Sequence, residues 1–406
     1  MVTALHDDLF ALDVIADPYT YLGRLREEDP IHWNEKYEVW IVTGYDEVVW
    51  LTRHPELFSS AVVRRDPRPP YPPIDESDMG LFNEVVRGFF GDMFIQHDRP
   101  DHTEMRKVVH AYFTPKSMEQ WRPLVQAAIK DLLDEVEDEG RMDVMRDFAT
   151  PLPVLVIAQL MGMPYQDRLF IRELAKKLLF IGRGDLRRMQ PLAEGVKGLV
   201  EYVAPLLEAR VVNPKDDLLS VLASGETRGA YTRQEALANA VLLLFAGHET
   251  TINLICNGTL AFLRHAEQWQ LLQENPALCV PATEECLRYD PPVKSLQRLA
   301  AQAVEIRGKV IRHLDRVRWF IPSANRDPRQ FPEPEKFDIT RSPNPHVAFG
   351  SGIHHCLGAY LARLEGQEAF KALVQRFPSL HLETEALEYQ PSITFRSLKT
   401  LPVAWK

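Results

Sequence analysis

Residues 349–358 read FGSGIHHCLG, with one cysteine, two adjacent histidines and three glycines behind a phenylalanine. Four chemistries suit such a segment: half a zinc site, a catalytic thiol, an axial ligand for haem iron, or none beyond a tight turn. Structural zinc wants four ligands, normally in spaced pairs, and the consecutive His354, His355 and Cys356 cannot all converge on one ion. A catalytic thiol fits the position of Cys356 ahead of a helical pattern, since a helix N-terminus lowers a thiol pKa. It also needs a positioned base, which the segment does not identify. A haem ligand needs a sulfur projecting from a bare backbone. Gly350 and Gly352 permit the backbone angles, Gly358 leaves room for a flat macrocycle, and Phe349 shields the sulfur from water. On this segment alone the last three readings stay open.

Three other groups carry chemistry. AGHETT, residues 246–251, sets a glycine, an acid and two threonines inside a long apolar helical pattern. Gly247 and the threonine hydroxyls are expected to loosen that helix. Glu285 and Arg288 in EECLRYDPPV are spaced i and i+3, one turn apart on a helix face. His102 and Arg106 in RPDHTEMRKVV share a face at i and i+4.

The elements that must hold these residues are mostly helices. Apolar residues recur at spacings of three and four in 119–139, 150–161, 165–181, 189–211, 232–264, 280–289 and 357–376. Strand patterns occupy HWNEKYEVWIVT, 304–311 and 316–321, and proline-rich segments lie at 66–78 and 327–338. Thr232 and Glu235 form a T-x-x-E capping box. The helix they start would run about 48 Å, long enough to cross the protein. The reading is a mainly α fold with a small β region, in one domain over 1–406.

Composition excludes several classes. Hydrophobic residues make up 45% and charged residues 26%, the balance of a globular protein with a large core. A net charge of −10 argues against nucleic-acid binding. Cys256, Cys279, Cys286 and Cys356 show no CxxC pair and are too sparse for a disulfide framework, which points to a reducing compartment. The acidic amino terminus is unlike a signal peptide, and the greasiest stretch, 240–247, is too short to span a bilayer. A cytoplasmic protein without a membrane anchor is expected.

The string F-G-x-G-x-H-x-C-L-G-x-x-L-A-R-x-E is met by Phe349, Gly350, Gly352, His354, Cys356, Leu357, Gly358, Leu361, Ala362, Arg363 and Glu365. It resembles the haem-binding signature of the cytochromes P-450. Glu285 and Arg288 are similar to that family's E-x-x-R pair, AGHETT to its oxygen-binding helix segment, and NRDPRQFPEPEKFD to the meander before the cysteine loop. The likeness runs from DPYTYLGRLREEDPI onward. It implies the family's triangular prism, with a long central helix over haem b (iron protoporphyrin IX), and Cys356 as axial thiolate.

The resemblance assigns further roles. His102, Arg106, Arg298 and His354 would hold the haem propionates, with Phe349, Gly358, Ala246 and Gly247 against the ring. Glu285 and Arg288 would anchor the fold beneath it. Thr250 would donate a hydrogen bond beside the oxygen site while Glu249 resupplies the proton through water. That relay implies a monooxygenase, with peroxide-driven turnover as one alternative and a non-catalytic haem-based ligand-binding protein as another. No fused flavin or iron–sulfur domain is expected, so electrons would come from a ferredoxin or flavodoxin with an NAD(P)H-dependent reductase. Arg106, Lys107, Lys116 and Arg122 would meet that partner.

Three departures from the family pattern stand out. His313 and Leu314 fill a turn where proline or glycine is usual. Lys336 replaces an arginine that completes the Glu285–Arg288 anchor, with Arg326 as substitute. His355 fills a variable slot. Family variable regions supply a largely apolar pocket from Phe89, Phe90, Leu179, Leu243, Val293, Leu296 and Phe395. Lys294 is the polar exception, either solvated or paired with a substrate carboxylate. AGHETTINLI, FDITRSPNPH and LARLEG are similar to bacterial members that oxidise polyketides, macrolactones and acyl chains.

Overall fold

The computed structural model describes residues 8–70, 74–178 and 189–406. Its axis is the central helix, Arg233–Arg264, opened by the expected capping box. The Thr232 N–H donates to Glu235 Oε2 at 2.7 Å, and the Glu235 N–H to Thr232 Oγ1 at 3.2 Å. The helix is apolar around most of its circumference because other helices cover it on several sides. By composition it could cross a bilayer, but 78% of its apolar window is buried inside the protein, as in a core helix.

Helices Pro151–Leu160, Met189–Val212, Leu218–Thr227 and Ala359–Arg376 pack around this axis. Glycine sets the closest approach. A Cβ on Gly258 would lie 2.3 Å from the Phe370 ring, and one on Gly366 would lie 3.1 Å from Leu254. Pairing Leu254 with Gly366 and Gly258 with Phe370 makes the central helix and the Ala359–Arg376 helix run in the same direction. Followed back toward their N-termini, the two carry Ala246 and Thr250 toward the Gly358–Cys356 end of the other.

Beside this bundle lies a five-stranded sheet in the order Ile31–Asn34, Val39–Val42, Arg316–Phe320, Ser295–Ala300, Phe58–Ser59. The second and third strands are parallel and the other pairs antiparallel. Leu296 pairs with Trp319 and Arg298 with Val317, while Ser295 pairs with Phe320 and Gln297 with Arg318. Period-2 alternation puts these two sets on opposite faces. Val317 and Trp319 join a core cluster with Leu51 and Phe58, whereas Phe320 joins another with Tyr21 and Ile41.

The architecture is the expected mainly α fold with a small β region. HWNEKYEVWIVT forms a hairpin, and helices at Asp101–His110, Leu218–Thr227 and Ala266–Glu274 add to those read from periodicity. The 165–181 pattern yields Arg168–Leu178. Leu179 lies outside the described residues. The turn at His313–Leu314 keeps a glycine-like conformation without glycine: Leu314 has φ 66°. Its N–H donates to the Ala300 carbonyl at 2.8 Å.

Candidate haem-thiolate site

The cysteine loop is tied down at both ends. The Cys356 N–H donates to the Phe349 carbonyl at 2.9 Å, and the Gly350 N–H to Val347 at 2.9 Å. Gly350 and Gly352 have φ of 69° and 72°, in the left-handed region. A Cβ on Gly352 would also lie 2.4 Å from the Thr52 carbonyl. The Cys356 side chain is exposed, yet enough protein surrounds it that burial pushes its thiol up. The Gly358 N–H, Arg106 and Arg363 pull the other way. A Cβ on Gly358 would meet no protein atom within 4 Å, so nothing within the protein requires glycine there.

His102, Arg298 and His354 converge beside this loop. The His102 and His354 rings are 4.0 Å apart, and the Arg298 guanidinium lies 5.6 Å over Trp319. His102 is 1% and Arg298 3% exposed. Both ring nitrogens of His102 and Arg298 Nη1 are buried without a hydrogen-bond partner. Burial and the neighbouring arginines hold His102 at about 4. Burial, His102, Arg298 and Arg106 hold His354 at about 2. A cluster of buried donors and cationic groups without an acid in contact fits an anionic ligand, and two carboxylates would satisfy it. Arg106 Nη2 donates to the His355 carbonyl at 2.5 Å, so it braces the loop.

The anchor forms as expected but with a different third arginine. Glu285 and Arg288 are both 0% exposed and bond bidentately, at 2.8 and 2.9 Å. Arg341, not Arg326, completes the group, with its Nε 3.3 Å from Glu285 Oε1. Asn344 Nδ2 adds a bond to Glu285 Oε2 at 3.1 Å. Arg326 instead donates to the Tyr289 carbonyl and stacks 3.5 Å over Tyr19. Lys336 contributes only its carbonyl, which accepts from Arg288 Nη2 at 2.9 Å.

On the central helix the expected loosening is absent: helical structure continues through Gly247. A Cβ on Gly247 would lie 3.1 Å from Ile157, so the glycine accommodates the Pro151–Leu160 helix rather than opening a groove. Ala246 is exposed and Thr250 half-buried one turn later, and the Thr250 hydroxyl donates to the Ala246 carbonyl at 3.0 Å. Glu249 is buried. Ser397 Oγ lies 2.9 Å from its Oε1 and Asn253 Nδ2 3.4 Å from it. Consecutive helix positions diverge by about 100°. The acid and the hydroxyl therefore face different surroundings.

Val293 pairs with Phe395 in an isolated bridge, and the Phe395 ring meets Phe245 at 6.4 Å. Phe245, one residue before Ala246, thus ties this bridge to the central helix. Leu296 is 42% exposed, Phe89 half-buried, and Phe90 and Leu243 buried in the core. Lys294 does not point to solvent: it is 3% exposed, and burial, with Arg396 adding to it, holds its amine at about 7. Arg122 is bonded to Glu119 and Glu368, which neutralise the charge expected to meet a partner; Lys107 and Lys116 are exposed.

Comparison with known proteins gives the family. The family model Cytochrome P450 matches residues 279–399. The Biotin biosynthesis cytochrome P450 of Bacillus subtilis (strain 168) is 36% identical over 406 residues, covering 97% of this chain and 98% of its own length. Cytochrome P450 monooxygenase PikC of Streptomyces venezuelae is 38% identical over 411 residues, covering 98% and 94%. The crystal structure of P450BioI in complex with hexadec-9Z-enoic acid ligated acyl carrier protein superposes with a TM-score of 0.87 at 36% identity, covering 97% of this chain and 99% of that one. The chain belongs to the cytochrome P450 family and is an oxidoreductase of its monooxygenase class. The family carries a haem-thiolate, in which the cysteine's electron push toward bound oxygen is the established property of the class.

Proposed function

We propose that this chain inserts one oxygen atom from O2 into a C–H or C=C bond of an apolar acyl or polyketide-derived substrate, with haem b held by Cys356. The carrying observation is the exposed Cys356 beside the buried, unpaired donors of His102 and Arg298, at the start of the helix that runs alongside the one carrying Ala246 and Thr250. The relatives support the substrate class: one is named for biotin biosynthesis, and one structure holds an acyl chain on its carrier protein. When bound, the haem-thiolate supplies the oxidising power, taking O2, two electrons and two protons for each hydroxyl formed, with water as coproduct.

The protein's own groups do the rest. Arg298, His102 and His354 would hold the propionates, whose negative charge their unpaired donors lack. Cys356 would hold the iron as a thiolate, whose charge Arg106, Arg363 and the Gly358 N–H favour. Thr250 exchanges its bond to the Ala246 carbonyl for one to the oxygen site. Glu249 stores a proton within its Ser397–Asn253 network and passes it through water. Phe245 and Phe395 keep bulk water from the reacting carbon. Electrons arrive in the cytoplasm from a separate ferredoxin or flavodoxin with its NAD(P)H-dependent reductase, which docks at the exposed Lys107 and Lys116.

The test is turnover of long-chain acyl and macrolactone substrates under isotopically labelled dioxygen, with such a redox pair. One labelled oxygen in the product supports the proposal. Turnover with peroxide alone, and none with the redox pair, would replace it with a peroxygenase.

A further inference from the structure

Arginines buried in this protein meet carboxylates almost as a rule. Arg210 pairs with Asp217, Arg288 with Glu285, Arg316 with Asp66, Arg326 with Glu335 and Arg396 with Asp290. Among the described residues Arg298 and Arg318 are deep-lying exceptions, and burial holds each guanidinium at about 10. Arg298 has the haem propionates to meet in the function proposed above. Arg318 is on the opposite face of the sheet and needs a different anion.

Its surroundings are specific. Arg318 Nη1 donates to Ser295 Oγ at 2.9 Å and Nη2 to Gln297 Oε1 at 2.8 Å, both neutral acceptors. A guanidinium has five N–H groups, so further donors remain. The side chain keeps some accessible surface although the protein surrounds it closely, as at a concave site. The charge that acts on it is another cation, Arg316. A half-buried arginine held by neutral acceptors, with donors to spare, suits a planar, bidentate anion.

A run of contacts leads from this site to the central helix. The Ser295 hydroxyl donates to the Ile393 carbonyl at 2.7 Å, two residues before Phe395, which pairs with Val293 and meets Phe245. From Val293 to Gln297 the chain rises about 13 Å at 3.3 Å per residue, a reach that suits a medium or long acyl chain. Lys294, the other candidate for a substrate carboxylate, lies in the field of Arg396 and Asp290 and alternates with Leu296 and Arg298 rather than with Gln297.

We propose that Arg318, steadied by Ser295 and Gln297, binds the carboxylate head group of an acyl substrate whose chain runs past Val293 and Phe395 to the haem. This rests on the acyl reading above. A carrier-bound chain would present a phosphate of its prosthetic arm to the same guanidinium, so the test separates the two sources.

The experiment titrates the ferric holoenzyme with long-chain fatty acids, their methyl esters and the same chains on acyl carrier protein, reading the low-to-high-spin change. Wild type, Arg318→Gln, Arg318→Lys and Lys294→Met are compared, each checked for an unchanged ferrous–carbon monoxide spectrum. Wild type should prefer the acid to its ester. Arg318→Gln should weaken the acid roughly ten- to a hundredfold, the range of a lost charge-assisted hydrogen bond, and leave the ester within about twofold. Arg318→Lys should recover part of the loss, and Lys294→Met should change nothing. Loss on the carrier-bound chain alone would overturn the carboxylate assignment in favour of phosphate. Equal effects on acid and ester, or loss in Lys294→Met instead, would overturn it while the acyl reading stands. No response to any acyl compound would overturn both.

Discussion

Arg288 and Arg298 are both buried, and the protein treats them differently. Arg288 meets Glu285 through two bonds and the carbonyls of Asn325, Pro334 and Lys336 through three more, so its charge and donors are used within the fold. Arg298 keeps an unpaired Nη1, and its neighbours include imidazoles whose protonation it opposes. A charge satisfied internally belongs to the architecture. One left unsatisfied while buried costs stability unless something outside the chain meets it. The same contrast divides Glu249, bonded into the C-terminal segment, from Thr250, whose hydroxyl is spent on its own helix and is easily released.

The sharpest way to break the comparison is to remove one anchor partner. Glu285→Ala strands Arg288 and removes acceptors for Arg341 and Asn344. It should cost about 3–5 kcal/mol, enough to prevent accumulation of folded protein. Arg298→Leu should do the reverse. The haem-free chain should be no less stable in urea, while the loaded protein loses haem on the order of ten- to a hundredfold more readily, the range of one charge-assisted hydrogen bond. A haem-free variant that unfolds as readily as Glu285→Ala would place Arg298 with the anchor.

Thr250→Ala comes next. A half-buried hydroxyl bonded only to its own helix contributes little, so stability should shift by no more than about 0.5 kcal/mol. Product formed per electron consumed should fall severalfold, because water and peroxide then replace hydroxylated product. Unchanged coupling would remove Thr250 from the proton path.

How much of this was legible follows the distance between partners in sequence. The capping box, the Glu285–Arg288 pair and the glycines of the cysteine loop are local patterns whose physics acts within a few residues, and they stand where the motifs put them. Arg341 reaches Glu285 from 56 residues away, and Ser397 reaches Glu249 from 148. No periodicity announces such a meeting. Gly247 misled because its role depends on Ile157 of another helix, and Lys294 because a lysine reads as solvated until the fold buries it in the field of the distant Arg396. Arg318 gave no signal at all, since in VRW it looks like the outward residue of an alternating strand.

Glu284 tests whether the two regions are independent. It neighbours Glu285 on the anchor helix but bonds Arg363 at 2.7 and 2.8 Å and His346 at 3.1 Å, and Arg363 in turn lies 4.4 Å over Phe349 of the cysteine loop. Burial pushes its carboxyl up, but hydrogen bonds from His346 and Arg363 outweigh that and hold it at about 2, against an ordinary 4.5. The folded state therefore binds this proton less readily than the unfolded chain. The stabilisation is fully present above about pH 4.5 and is lost as pH falls toward 2. Glu284→Gln should lower stability near neutrality by about 1.5–3 kcal/mol, the range for a hydrogen bond to a charged group, and flatten the acid limb between those pH values. Urea midpoints measured across that range for both proteins give the difference directly. If the variant also alters the haem-thiolate spectrum, Arg363 transmits the anchor's rigidity to the cysteine; an unchanged spectrum with reduced stability would leave anchor and ligand loop as separate devices.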